Sequence, residues 1–172
     1  MKKKKIIGLL SLMFLISGCS LTPESRTPTN VGGPNLTPSS IYGANDGGSN
    51  WLPLHDDTVK IESEDILSIA MSPADENLVL FGTAENGIIR TSDRGQNFEF
   101  LENFKAEKVY GLELDPRDPR IIYASGVWQK RGKIYKSQDG GETWKKLSKG
   151  LPEKMGKIGV SVSRANSEVV YA

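Results

Sequence analysis

The chain has 172 residues, of which 37% are hydrophobic and 25% charged, and its formal net charge is +1. This composition is too apolar for a disordered chain, and the length suits one small domain of about 100–200 residues. Without the four lysines at positions 2 to 5, 18 basic residues remain against 21 acidic ones, which gives −3 and predicts no nucleic-acid partner. The single cysteine excludes an internal disulfide, and the single histidine excludes a histidine-rich metal site.

The N-terminus has the layout of a secretory signal. Lys2–Lys5 form a charged segment, and Ile6–Ile16 form an apolar run of 11 residues. That run is short of the roughly 20 residues that a transmembrane helix needs. The end of the run, Ile16-Ser17-Gly18-Cys19, resembles the bacterial lipobox, whose cysteine is acylated and becomes the first residue of the mature protein. We therefore predict a lipoprotein signal peptide at 1–18, a lipid anchor on Cys19, and an extracytoplasmic position on a membrane of a bacterial cell envelope. The alternative is an uncleaved signal anchor with an incidental cysteine.

The next segment, residues 19–40, is predicted to be a flexible tether after the lipidated cysteine. It is rich in Ser, Thr, Pro, Asn and Gly and has almost no apolar residues. Such a segment cannot bury enough surface to offset its ordering entropy. A glycosylated stalk is the alternative that this composition leaves open.

An eight-residue motif recurs three times in the remaining chain. Residues Ser137–Trp144 read S-x-D-x-G-x-x-W; the motif returns in Thr91–Phe98 and, with alanine at its first position, in Ala44–Trp51. Its aspartates stand at 46, 93 and 139, in steps of 47 and 46 residues, and a period of this size indicates a repeat architecture. In each copy we expect an Asp-bonded turn, a glycine with positive φ and an aromatic residue that enters the core. The residues assigned to these structural turns are Asp46, Gly48, Trp51, Asp93, Gly95, Phe98, Ser137, Asp139, Gly141 and Trp144.

Apolar runs between the motifs predict two further strands per repeat. Each pair of runs is separated by a cluster of turn-forming residues. The predicted strands are Ile66–Met71, Leu78–Gly82, Val109–Leu114, Ile121–Ser125, Ile158–Val162 and Val169–Ala172. Each repeat therefore has four short strands, with the Asp motif between the third and the fourth, as in a blade of a β-propeller. We predict an all-β propeller domain at 41–172 with about three blades' worth of strands.

The motif and its spacing resemble the BNR/Asp-box propellers, which include the ten-bladed domain of sortilin, the sialidases, and the photosystem II stability/assembly factors. The resemblance covers residues 41–172. It implies that the Asp boxes are structural turns and that ligands bind the loops at the other end of the blades. Because propellers typically have about 4–8 blades, we expect either a piece of a longer protein or a small module that completes its ring by assembly. Open blade edges predict self-association.

The ligand-facing loops predicted by this arrangement are Thr83–Asn86, Gly126–Gly132, His55–Glu64, Asn103–Lys108 and Ser148–Lys157. The most distinctive stretch is Ser125–Gly132, where Trp128 could stack on a sugar or anchor a peptide while Gln129 and Arg131 hydrogen-bond to it. The alternative is a tryptophan packed against the neighbouring blade beside a solvated basic turn. His55-Asp56-Asp57 is a weaker candidate for a metal site or general base, and a solvated loop is favoured there. We predict no catalytic residues, no metal ligands and no cofactor.

The function predicted from these features is a membrane-tethered module that binds an unknown protein or glycan, or serves as a scaffold. One alternative is a glycoside hydrolase or sialidase-like enzyme with its catalytic residues in other blades. Another is an assembly factor for a membrane complex, which the resemblance to the photosystem group suggests. The sequence shows neither the converging carboxylates of a hydrolase nor an arginine set for sialic acid, so the non-enzymatic interpretation is favoured.

Overall fold

The fold is built from short antiparallel strands. A computed structural model describes residues 41–54, 59–61, 64–147, 149–152 and 156–172, and this part of the chain contains no α-helix. Its twelve strands are β1 (Tyr42–Gly43), β2 (Leu52–Pro53), β3 (Ile66–Met71), β4 (Val79–Thr83), β5 (Ile88–Thr91), β6 (Glu99–Phe100), β7 (Lys108–Leu114), β8 (Ile122–Trp128), β9 (Arg131–Ser137), β10 (Lys145–Leu147), β11 (Ser161–Val162) and β12 (Val170–Tyr171).

The strands form two complete sheets and two partial ones. Strands β3 to β6 form one four-stranded sheet and β7 to β10 a second, each with antiparallel neighbours in chain order. We call these the first and second full blades. The pairs β1–β2 and β11–β12 form two-stranded sheets, which we call the first and last half-blades. This topology confirms the predicted all-β architecture of four-stranded blades, with strands for about three blades.

A repeated turn fixes which strands are equivalent. In each copy a Ser or Asp side chain, at position 72, 115 or 163, accepts a hydrogen bond from the backbone N–H three residues later, at 3.1 to 3.3 Å. This turn joins β3 to β4, β7 to β8 and β11 to β12. The last half-blade therefore corresponds to strands one and two of a full blade. An Asp box joins β1 to β2, so the first half-blade corresponds to strands three and four.

The two full blades pack face to face and approach closely. Ser68 Oγ of β3 donates a hydrogen bond to the backbone oxygen of Val109 in β7, at 2.8 Å. A Cβ on Gly82 would lie 2.3 Å from Ser68 Oγ and 2.7 Å from a side-chain carbon of Val109, so only glycine fits there. The buried side chains of the cluster around this interface are Ala70, Leu80, Ile88, Leu101, Phe104, Ala106, Val109, Leu112, Leu114, Ile122 and Ala124.

The first half-blade covers part of the opposite face of the first full blade. This second cluster contains Ile41, Val59, Ile61, Phe81, Ile89 and Phe98. The sequence predicted that all three Asp-box aromatics enter the core, and Phe98 is buried accordingly. For Trp51 that prediction is wrong, because its side chain is 63% exposed. Its ring packs over its own turn, 3.4 Å from where a Cβ on Gly48 would lie, and no neighbouring strand of the described chain covers it.

The stretch Ser125–Gly132 is not the open loop that the sequence predicted. Strands β8 and β9 continue to its tip, where Trp128 pairs with Arg131 across a two-residue turn. The turn residues Gln129 and Lys130 have φ of 49° and 64°. Two positive φ values are typical of a type I′ hairpin turn, which usually contains Asn-Gly. The hairpin was missed because Gln-Lys carries no such signal.

Gly82→Ala tests the close approach of the two full blades. We expect a loss of about 1–3 kcal/mol in the free energy of unfolding, because the added methyl overpacks a site with no space for it. Gly156→Ala is the matched control, since a Cβ there meets nothing within 4 Å. Urea unfolding of both variants measures the difference, and equal stability would show that the blades can separate without cost.

Candidate functional site

Hydrogen bonds within each Asp-box turn occupy its carboxylate. In the third box, Ser137 Oγ donates to Asp139 Oδ1 at 2.7 Å and accepts from the backbone N–H of Gly141 at 2.8 Å. Asp139 also accepts from the backbone N–H of Thr143 at 2.9 Å and from its hydroxyl at 2.5 Å. The second box repeats this network around Asp93.

The first box keeps the aspartate bonds and loses the hydroxyl bonds. Asp46 Oδ1 accepts from the backbone N–H groups of Ser49 and Asn50 at 3.0 and 3.1 Å. The Asn50 side chain donates to Asp46 Oδ2 at 2.5 Å. Ala44 stands where the other boxes have Thr91 and Ser137, so no side chain at that position can donate to the aspartate.

These hydrogen bonds make the aspartates poor general acids. Those from Thr143 and Ser137 lower the pKa of Asp139 to about 2, and those from Asn50 lower the pKa of Asp46. At Asp93 burial raises the pKa, but hydrogen bonds from neighbouring side-chain and backbone groups outweigh it, so the net shift is downward. A catalytic acid at neutral pH needs a raised pKa instead.

The boxes lie at one end of the blades. The backbone N–H of Gly140 donates to the backbone oxygen of Arg120 at 2.9 Å, and that of Arg94 donates to Asn77 at 3.1 Å. The boxes therefore sit beside the turns between strands one and two. Because the strands are antiparallel, the β4–β5 and β8–β9 hairpins and the connection between the full blades lie at the other end.

Three segments at that other end line an open groove, which we call the inter-blade groove. Its volume is about 440 Å³, within the range of about 300–1,000 Å³ typical of ligand sites. The first wall is the β4–β5 loop, the floor is the connection from β6 to β7, and Trp128 forms the opposite wall. The lining residues are Glu85, Asn86, Gly87, Phe100, Leu101, Glu102, Phe104, Lys105, Ala106, Glu107 and Trp128.

The first wall is held by hydrogen bonds to buried side chains. Thr83 Oγ1 accepts from the backbone N–H of Asn86 at 2.8 Å and donates to the backbone oxygen of Gly87 at 3.1 Å. The Asn86 side chain donates to Glu64 Oε1 at 2.8 Å. Thr83 is fully buried and Glu64 nearly so, which fixes the loop to the body of the blade.

The floor is held by aromatic packing. The buried Phe104 ring makes edge contacts with Tyr135 and Trp144, with ring centres 5.3 and 4.7 Å apart. Trp144 Nε1 also donates to the backbone oxygen of Gly141 at 2.9 Å. The third Asp box and the groove floor are thereby connected through a single tryptophan.

Only one of the three proposed ligand-binding residues lines the groove. Trp128 is 43% exposed and lines the groove opposite loops of the neighbouring blade, and its role in ligand binding stays a prediction. Gln129 and Arg131 are exposed at the hairpin tip outside the lining. The groove residues Glu85, Glu102 and Phe104 were not predicted as site residues, because they belong to loops with no motif of their own. The only sequence signal for them was the position of their loops at the ligand-facing end of the blades.

Several predicted features lie outside the described residues. These are the signal peptide at 1–18, Cys19, the tether at 19–40, and the His55-Asp56-Asp57 cluster. Within the described ranges no three His, Cys, Asp or Glu side chains are grouped to hold a metal ion. In the same ranges, the structure has no helix of the length and hydropathy needed to cross a membrane.

A family model matches most of the chain. The Sortilin-Vps10 model, described as sortilin, neurotensin receptor 3, matches residues 39–168. The chain belongs to the sortilin–Vps10 family. This membership confirms the resemblance to Asp-box propellers that the three motifs indicated. A search of curated protein sequences found no significant match.

Solved structures share the fold of this sortilin–Vps10 chain. An ancestral GH74 enzyme matches with a TM-score of 0.58 and 16% identity, over 78% of this chain and 20% of its own. The GH74 enzyme of Niastella koreensis matches with a TM-score of 0.56 and 21% identity, over 76% of this chain and 22% of its own. The GH74 xyloglucanase of Xanthomonas campestris matches with a TM-score of 0.51 and 19% identity, over 72% of this chain and 22% of its own. The chain thus spans about a fifth of the length of these enzymes, and identities this low show the fold alone.

Asp139→Asn tests the Asp-box network through its pH dependence. Because the native pKa of Asp139 is depressed, its ionised form stabilises the fold above about pH 4, and this contribution is lost as the pH falls towards 2. We expect the variant to be less stable at pH 7 and to lose less stability between pH 4 and pH 2. Chemical unfolding across this range measures both effects. Glu142→Gln, an exposed carboxylate in the same turn, is the control, and identical pH profiles for Asp139→Asn and wild type would contradict the network's role.

Proposed function

We propose that this chain is a lipid-anchored, extracytoplasmic binding module that presents the inter-blade groove to a protein or glycan ligand. The observation that carries the proposal is the groove itself, at the end of the blades away from the Asp boxes, with the half-exposed Trp128 as one wall. A tryptophan face can stack on a sugar ring or hold an apolar side chain of a peptide. The rigid first wall and the aromatic floor give the site a preformed shape, which lowers the ordering cost of binding.

The anchoring half of the proposal rests on the N-terminus. In this proposal residues 19–40 separate the acylated Cys19 from the propeller, and a flexible chain of 22 residues spans about 25 Å on average. That distance lets the propeller turn freely above a lipid surface while it stays attached. Several acyl chains on one cysteine hold a protein on a membrane, whereas one chain gives only marginal binding.

Hydrolysis of a glycan is not part of the proposal. A glycoside hydrolase typically needs one carboxyl group with a raised pKa beside a second carboxylate on the other side of the scissile bond. The Asp-box aspartates have lowered pKa values and lie at the other end of the blades. The similarity to GH74 enzymes is a similarity of fold, and no observation favours the assembly-factor alternative over binding.

Trp128→Ala tests the groove as the ligand site. The full-length protein is screened on glycan and peptide arrays, and we expect at least a tenfold loss of binding for the strongest ligand. Glu107→Gln, at the groove rim, should change affinity for the same ligand, while Glu142→Ala at the Asp-box end should not. Loss of binding in Arg131→Ala alone would place the ligand site at the hairpin tip instead. The absence of any bound ligand on both arrays would contradict the binding function.

Cys19→Ser tests the anchor. In a bacterial host the wild-type chain is expected to incorporate labelled fatty acid and to fractionate with membranes, since acylation supplies its membrane affinity. The variant should not incorporate the label. It should either leave the membrane fraction after an alkaline wash or stay in that fraction with its signal peptide uncleaved. A labelled variant, or an unlabelled wild type of full precursor mass, would contradict lipidation and favour the uncleaved anchor.

A further inference from the structure

We propose that the inter-blade groove binds a peptide segment through lysine or arginine side chains of that peptide. This inference rests on the proposed binding function and names the class of its ligand. The charge of the lining carries it, because the lining contains three glutamates and only one lysine. A cleft lined mainly by one sign of charge raises the local concentration of ligands of the opposite sign.

The groove carboxylates have no cationic partner among the residues that the structure describes. Glu85, Glu102 and Glu107 are exposed, and none of the ion pairs in those ranges includes one of them. The lysine of the lining is held elsewhere, since Lys105 Nζ donates to the backbone oxygen of Glu102 at 2.6 Å. A cation of a ligand can therefore pair with these carboxylates without displacing an existing ion pair.

Apolar side chains lie between the carboxylates. In the connection from β6 to β7, Phe100 and Leu101 directly precede Glu102. Phe104 lies three residues before Glu107 in the same segment. Lysine and arginine have the same two parts, an apolar stem that packs along apolar surface and a charged end that stays at its rim. A neutral sugar has no charge to pair with the carboxylates, so the lining fits a long cationic side chain better.

Trp128 provides an aromatic face beside one of the carboxylates. The backbone N–H of Glu107 donates to the backbone oxygen of Val127 at 3.1 Å, so Glu107 lies next to the strand end that carries Trp128. Tryptophan attracts cations more strongly than the other aromatic side chains, when the cation is within about 6 Å of the ring centre. An ammonium or guanidinium group in the groove can therefore interact with the indole and with a carboxylate.

The groove is preformed because its three segments touch one another. A Cβ on Gly87 would lie 3.2 Å from the backbone oxygen of Phe104, which shows how closely the first wall approaches the floor. A Cβ on Gly126 would collide with Ala106, so the hairpin that carries Trp128 packs on the same floor. The backbone positions of the carboxylates and the indole are thus set before a ligand arrives, which lowers the ordering cost of binding.

A peptide matches the distribution of charge along the groove. Glu85 lies in the first wall, whereas Glu102 and Glu107 lie in the floor, so more than one position can accept a cation. In an extended peptide the side chains on one face recur about every 7 Å, and cationic and apolar side chains can alternate along it. A small polyamine has no apolar side chain to place on Phe100 or Leu101, and a peptide has both kinds.

Two cations of the hairpin limit where the ligand cation lies. Arg131 pairs with Trp128 and Lys133 pairs with Gly126 across the hairpin, and directly opposite residues project on the same face of a sheet. Both cations lie outside the groove lining. Because like charges repel, the ligand cation is placed on the side of Trp128 that faces the glutamates. Arg131 and the glutamates therefore have opposite effects on the affinity for a cationic ligand.

Peptides matched in shape and different in charge test the ligand class. The full-length protein, solubilised in detergent, is applied to a peptide array and a glycan array. We expect the strongest ligand to be a peptide that contains lysine or arginine. Its analogue with acetyllysine for lysine and citrulline for arginine should bind about tenfold more weakly, because hydrogen bonds between two charged groups are the strong ones. Raising the salt from about 0.05 to about 0.5 M should also weaken binding of the charged peptide, through screening.

Groove variants test which residues read the charge. Glu85→Gln, Glu102→Gln and Glu107→Gln should each weaken binding of the charged peptide by about threefold, as expected for an exposed ion pair. Arg131→Gln should leave the affinity unchanged or raise it, because it removes a like charge. Glu142→Gln is the matched control, since it removes the same charge from an exposed position at the Asp-box end. All these side chains are exposed, so the Tm of each variant should equal that of the wild type.

The possible outcomes separate this inference from the proposed function. A strongest ligand that requires Trp128 but is a glycan, or a peptide without lysine or arginine, would overturn the cationic class and leave the binding function intact. Charged peptides that bind all three glutamate variants as tightly as the wild type would also overturn it. So would weaker binding in Arg131→Gln. A protein that binds nothing on either array would contradict the binding function itself, and this inference with it.

Discussion

The structure depends on the packing of one blade against the next. A four-stranded antiparallel sheet of this size has two apolar faces and can bury neither of them by itself. In the described chain, Leu112 and Leu114 are buried only because the first full blade lies over them. Ile69 and Met71 occupy the equivalent positions of β3 and are exposed. The same type of surface is therefore core or solvent-facing according to whether a neighbouring blade is present.

The Asp box serves this packing at the rim of each blade. Its carboxylate accepts hydrogen bonds that hold a turn in which Gly95 or Gly141 takes a positive φ, and the bare glycine lets a leucine of the preceding blade come close. The hydrogen bonds that shape the turn also lower the pKa of the aspartate. The single aspartate of each motif is therefore a poor general acid for a physical reason: its oxygens already accept hydrogen bonds within the turn.

The sequence was most informative where local chemistry decides the conformation. The period of Asp46, Asp93 and Asp139 predicted the blades, and most strand bounds agree with the structure within one or two residues. The β8–β9 hairpin could not be predicted, since Gln129 and Lys130 adopt positive φ without glycine. The exposure of Trp51 could not be predicted either, because it depends on a neighbouring strand and not on the residue.

The groove could be predicted only in part from the sequence, for a related reason. The loops Thr83–Asn86 and Asn103–Lys108 were expected at the ligand-facing end, and Trp128 was singled out. Nothing in the sequence indicated that these three segments would meet, since they come from two different blades and meet only because the blades pack. A sequence motif predicts the conformation of a turn, whereas the shape of a groove between blades depends on how the repeats pack against each other.

The same distinction separates the two apolar surfaces of the molecule. Trp128 is exposed beside a rigid loop, a buried phenylalanine and several carboxylates, a mixed lining that suits a ligand with polar and apolar parts. The residues around β3 and the half-blades are exposed along strand edges and sheet faces, where backbone pairing and apolar packing both remain to be satisfied. Surfaces of the second type are matched by another strand more readily than by a small molecule, because only a strand provides hydrogen-bonding groups at the spacing of the edge. The two surfaces therefore differ in chemistry: the groove combines polar and apolar side chains, whereas the strand edges combine backbone groups with apolar side chains.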